Sequence, residues 1–123
     1  MKQAIQNQMY LTGPHGQLFL AEGILYNREQ EELEEKKNPL GAIGKMFQIK
    51  LEEDNPEVAE QEKFEGIFYS NAKIKENQVL DRIDNLYMKL LDESLAPEIG
   101  LERIQHFQQL FSQAQEIILA EYQ

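Results

Sequence analysis

The sequence predicts an α+β domain: a four-stranded, largely antiparallel sheet made of two hairpins, followed by a C-terminal helical hairpin packed on it. Three observations carry this. Apolar runs flank Gly13-Pro14-His15-Gly16, a turn-forming stretch. A second pair of apolar runs flanks the acidic connection at 55–62, and the first of them alternates. From about residue 77 the apolar period changes from two to that of a helix.

The first hairpin is read in 9–27, "MYLTGPHGQLFLAEGILYN". Proline presets one turn dihedral and glycine permits the positive ones. His15 sits at the tip, a solvated position. "REQEELEEKKN" (28–38) holds strong helix formers, with Glu32 four residues before Lys36. Leu33 is its one large apolar residue, so an exposed helical turn or mobile loop is expected, ended by Asn38-Pro39. In "MFQIKLEED", Phe47, Ile49 and Leu51 alternate with Met46, Gln48 and Lys50, the pattern of a half-buried strand. "KFEGIFYSN" is its expected partner.

Two similar words thus close the two hairpins. "EGILYN" and "EGIFYSN" share Glu22/Glu65, Gly23/Gly66, Ile24/Ile67 and Tyr26/Tyr69 in register. The structural expectation is that Gly23 and Gly66 mark bulges or close approach, and that the tyrosines cap a core edge. On that reading, valine at either glycine destabilises the fold. The functional alternative makes Glu22, Tyr26, Glu65 and Tyr69 a duplicated recognition surface.

Asn77 is the expected N-cap of the first C-terminal helix, with Val79, Ile83, Leu86 and Leu90 on one face. Ser94 to Ala96 interrupt it, and Pro97 suits the first turn of a last helix over 97–122. That helix carries a stripe of Phe107, Leu110, Phe111, Ala114, Ile117 and Ile118, extended by Ile104 and Tyr122. Between Arg103 and Glu116 it has no Asp, Glu, Lys or Arg. Glutamines beside a wide aromatic stripe predict a homodimer or higher symmetric oligomer, with Phe107, Phe111, Ile118 and Tyr122 at the contact.

A chain of 123 residues without cysteine predicts a single domain (1–123), with no disulfide or thiolate metal site. The first residues lack the apolar core of a signal peptide, and no apolar run reaches bilayer-spanning length, so a cytoplasmic protein without membrane association is expected. A formal net charge of −10 disfavours phosphate backbones, hence no nucleic acid, and favours a protein partner with a basic surface. The acidic cluster Glu52, Glu53, Asp54 and Glu57 is the candidate partner-binding face.

Catalytic and cofactor chemistry finds little support. "GAIGKMF" (41–47) resembles part of a phosphate loop, but Pro39 stands where a glycine is needed and Met46 where a hydroxyl is needed. Gly41 and Gly44 are read instead as a flexible lead-in to the third strand. The two histidines lack ligand spacing, and the acidic run does not follow the calcium-loop alternation. No Gly-x-Ser-x-Gly elbow occurs. No cofactor and no enzymatic activity are expected. The sequence therefore predicts a non-catalytic acidic binding protein, a stoichiometric inhibitor or immunity- or anti-defence-type protein that masks a basic protein surface. A small-ligand sequestering or sensing module and a chaperone-like adaptor are the alternatives.

Overall fold

The turn at 13–16 does close a hairpin, and the sheet stops there. In the computed structural model, which describes residues 9–95 and 100–122, β1 (Tyr10–Thr12) pairs antiparallel with β2 (Leu18–Leu20). Tyr10 faces Leu20, Leu11 faces Phe19 and Thr12 faces Leu18. Gly16 supplies a positive φ of 83°, and the Gly13 N–H donates to the Gln17 carbonyl at 2.7 Å. Leu11 and Phe19 are half-buried, and the Phe19 ring lies 5.4 Å from Phe64.

Helices follow: α1 (Ala21–Lys37), α2 (Ala42–Asp54), α3 (Pro56–Glu65), α4 (Phe68–Glu93) and α5 (Leu101–Ala120). The expected α+β fold is therefore overturned. Among the described residues the sheet has two strands, the second hairpin is absent, and there is no four-stranded sheet to carry a C-terminal helical hairpin.

Each correction has a local cause. The alternation in 46–51 is shorter than the helical pattern that contains it. Ile43, Met46, Phe47 and Leu51 recur at intervals of three and four, and all are half-buried in α2. Ile49 supplied the alternation, falls off that stripe and is 58% exposed. Gly41 and Gly44 are the N-cap and third residue of α2, not a lead-in to a strand. In α1, Ala21 and Ile24 are buried, and Arg28 and Glu31 continue that face half-buried. The 28–38 segment is thus the greater part of a 17-residue helix, not an isolated turn or loop. It ends at Asn38, whose N–H donates to the Glu34 carbonyl. Asn77 lies inside α4, which begins at Phe68. The apolar spacing read from Val79 continues backwards through Glu76, Ala72 and Tyr69 in steps of three and four. The proposed helix start at Pro97 lies outside the described residues.

The chain divides into two compact units, Met1–Glu76 and Asn77–Gln123. In the first, Ala21, Ile24, Leu40, Ala59, Tyr69 and Ala72 are buried. Leu40, Tyr69 and Ala72 form one cluster. In the second, Val79 and Ile83 of α4 and Ala114 and Ile118 of α5 are buried. Tyr87 meets Phe111 edge-on at 5.3 Å, and Ser94 Oγ lies 3.1 Å from His106 Nε2. Arg82 donates to the Tyr122 hydroxyl at 2.6 Å and also pairs with Glu121. Residues 82, 87 and 94 thus meet 122, 111 and 106, so this part of α4 and α5 run antiparallel.

The two EGI words have different local structures. Gly23 lies in the first turn of α1 with nothing within 4 Å of the position a Cβ would take. Gly66 ends α3 in the left-handed region at φ 73°, and a Cβ there would stand 2.7 Å from the Arg28 backbone nitrogen. Neither marks a β-bulge. The expectation that substitution at either glycine destabilises therefore has a structural reason at Gly66, where the backbone approaches closely, and none at Gly23. Gly66→Ala is expected to destabilise by about 1–3 kcal/mol through strain and overpacking. Gly23→Ala is expected to be neutral or stabilising by up to about 1 kcal/mol. Paired denaturant melts check this, and equal losses at both sites would contradict it.

Candidate functional site

A helix N-terminus presents unpaired N–H groups and positive potential, so it attracts anions. Two such termini in the first unit are already filled by carboxylates of the chain. At α2, Glu76 accepts from the Gly44 N–H at 2.7 Å, from the Gly41 N–H, and from Lys73 Nζ at 3.1 Å. Glu76 is only 3% exposed. Gly44 leaves the space this needs: a Cβ there would lie 2.6 Å from Leu40 Cδ2 and 2.9 Å from Glu76 Oε2. The segment that resembles a phosphate loop is therefore an anion-binding helix start whose anion is Glu76. At α4, Glu31 accepts from the Tyr69 N–H at 3.0 Å, the Ser70 N–H at 3.3 Å and the Ser70 hydroxyl at 3.0 Å.

Helix C-termini are served in the same way. The Tyr69 hydroxyl donates toward the Asn38 and Glu34 carbonyls at the end of α1. Burial pushes its pKa up, reinforced by Glu34, Glu35 and Glu76 against the opposing pull of Lys73. Arg28 Nε donates to the Phe64 carbonyl in the last turn of α3 at 2.8 Å, with its guanidinium 4.8 Å from the Phe64 ring centre. These residues build the fold and leave the outer surface for other work.

That outer surface holds the acidic residues singled out in the sequence. Glu52, Glu53 and Asp54 occupy the last turn of α2, Asn55 both ends α2 and starts α3, and Glu57 follows Pro56 in the first turn of α3. All four carboxylates are exposed. Glu52 pairs with Lys63 at 3.4 Å. Among the described residues Glu53, Asp54 and Glu57 have no cationic partner, and the last turn of α2 carries no basic residue. From Glu52 to Glu65 there are seven carboxylates and one lysine. Glu57 is favourably placed at a positive helix end. The three carboxylates of α2 stand at a negative one, where each costs about 0.3–1 kcal/mol.

The other predicted site residues are dispersed. Glu22 and Tyr26 point outward from α1, and Tyr26 is 60% exposed. Glu65 is the half-buried last residue of α3, and Tyr69 is 4% exposed within the core. The repeated words therefore do not present matching surfaces. On α5, Ile118 is buried and Tyr122 is half-buried against Arg82, whereas Phe107 is half-buried and Phe111 is 37% exposed. Ile104, Phe107, Gln108, Phe111 and Ser112 form a shallow groove with Tyr87 of α4. Another groove on α5, lined by Gln105, Gln108, Gln109, Ser112, Gln113 and Glu116, comes from one helix and is open surface. Among the described residues no three His, Asp or Glu side chains gather as metal ligands, and no helix is long and apolar enough to cross a membrane.

Sequence reasoning missed Glu31, Glu76 and Tyr87. A signal existed for Glu76: it is the one carboxylate in the three-and-four spacing from Tyr69 to Leu90. The fold defines a mainly helical protein with a short N-terminal hairpin. No protein-family model, curated protein or solved structure matches the chain.

The Glu76 cap makes stability depend on pH. Burial alone would raise its carboxyl pKa, but the Gly44 N–H, Lys73 and the Gly41 N–H together hold it below the ordinary 4.5. A carboxyl lowered on folding stabilises above its unfolded pKa, and that contribution is lost as pH falls through the folded one. Glu76→Gln is therefore expected to cost about 1.5–3 kcal/mol at neutral pH, the scale of buried hydrogen bonds to a charge. The gap between the two proteins should narrow as pH falls below the ordinary carboxyl range and close only once it passes the lowered folded pKa. Urea melts across that range check it, and a gap independent of pH would contradict it.

Proposed function

We propose that the chain is a non-catalytic binding protein that docks a basic protein surface through the acidic corner of α2 and α3. It would act by occupancy, as a stoichiometric inhibitor or an immunity- or anti-defence-type protein does. One observation carries this reading: among the described residues, Glu53 and Asp54 stand exposed and without a cationic partner at the negative end of α2. Stability alone favours neutral or basic residues there. A complementary basic partner would turn a local cost into attraction and accelerate encounter. The whole-chain charge of −10 adds a long-range field of the same sign. A chain without cysteine also suits a reducing, cytoplasmic compartment.

The test compares the native chain with a Glu53→Gln, Asp54→Asn, Glu57→Gln variant as baits in host extract. The substitutions are exposed, and their helix-end effects oppose one another, so the variant should melt within about 1 kcal/mol of the native chain. The native bait is expected to retain a basic protein that the variant loses. Association of the purified pair should slow as salt rises, with a steeper dependence for the native chain. Equal capture by both baits, or an association rate indifferent to salt, rejects the acidic corner as the docking face.

A further inference from the structure

We infer that the groove formed by Tyr87, Ile104, Phe107, Gln108, Phe111 and Ser112 is covered by a second copy of this chain, with α5 pairing antiparallel to its twin about a two-fold axis. The surface differs in kind from the acidic corner. Ile104 is 55% exposed, and Phe111 remains 37% exposed even with its ring against Tyr87. Aromatic side chains half-covered in a groove are the residue type that anchors interfaces. Charge then selects the occupant. The chain carries −10 overall, so two copies repel at most mutual orientations. From Ile104 to Gln115 α5 has no charged residue, so a second copy meets no like charge along that stretch. A basic partner, by contrast, would find no carboxylate there to pair with.

Two further features favour self-pairing. A glutamine amide is both donor and acceptor, so it can hydrogen-bond to its own copy across a two-fold axis; two carboxylates or two ammonium groups cannot. Gln108 is exposed, and it is the glutamine that lines the groove. Antiparallel pairing opposes the helix dipoles, which parallel pairing would align. Ile118 and Tyr122, expected at this contact from sequence, are instead engaged within the α4–α5 pair, and Ile104 and Tyr87 take their places.

Sedimentation or light scattering at micromolar concentration reads the mass. The full chain is expected as a dimer. Gln108→Glu with Ser112→Glu, both at exposed positions, should weaken it by about tenfold or more by burying like charges, with the helical circular dichroism of the monomer retained. A monomer at all micromolar concentrations overturns the inference. So does a dimer indifferent to the Gln108/Ser112 pair, which places the contact elsewhere.

Discussion

The first unit depends on one kind of interaction: helix ends closed by polar side chains from other helices. The N-cap residues of α1, α2, α3 and α5 make no side-chain capping bond of their own. In the first unit the missing partners arrive from a distance in sequence. Glu31 of α1 closes the start of α4, Tyr69 of α4 closes the end of α1, Arg28 of α1 closes the end of α3, and Glu76 of α4 closes the start of α2. Among the described residues, the buried apolar residues here are three alanines, one isoleucine, one leucine and one tyrosine. Alanine contributes little apolar area, so this core is thin for its helices. Hydrogen bonds to charged groups add about 1.5–3 kcal/mol each, and removing one partner leaves the other stranded. Here the ties rival the core in deciding the arrangement.

This also explains what could be read from the sequence. The first hairpin was legible because Gly13-Pro14-His15-Gly16 is a local signal that needs no partner. The burial of Val79 and Ile83 was legible because their spacing repeats over many residues. The second hairpin does not form because the six alternating residues lie inside a longer helical spacing that decides the structure. The EGI words misled for a related reason. Identical letters carry no conformation of their own: Gly23 follows a strand and opens a helix, while Gly66 ends one at positive φ. The acidic corner was legible as composition. Its position at the negative end of α2 was not, because that requires the helix. The capping residues were the least legible. Glu31 is one glutamate among several in a charged run, and only the approach of Tyr69 and Ser70 distinguishes it.

The same residue type thus has opposite tasks in one unit. Glu31 and Glu76 face N–H groups, and their charge is spent inside the fold. Among the described residues, Glu53, Asp54 and Glu57 face outward without a cationic partner. A net charge treats these groups as equal, yet only the outer set projects a field that a partner can meet. The uncharged stretch of α5 in the second unit is the complement of that arrangement. A protein this acidic has few surfaces on which an apolar contact with its own kind escapes repulsion, and Ile104 to Gln115 is one. Surface charge therefore distinguishes the two surfaces proposed for association, which apolar exposure alone would leave mixed.

The reciprocal caps have a consequence for folding. α3 has 10 residues and α2 has 13, at or below the roughly 12–15 at which isolated helices become even marginal in water. Neither is expected to persist alone. Glu31 is placed to cap α4 only when α1 is helical through that position, and the Tyr69 and Ser70 N–H groups converge on it only when the first turn of α4 exists. The Tyr69 hydroxyl in turn meets the carbonyls of Glu34 and Asn38 only when α1 has run its course. Each helix thus completes a terminus that the other cannot complete for itself. Fraying α1 uncovers the start of α4, the helix whose Glu76 closes α2. Local opening at any one terminus is opposed by bonds formed at another, so this unit gains through polar ties the cooperativity that larger domains obtain from a broad apolar core.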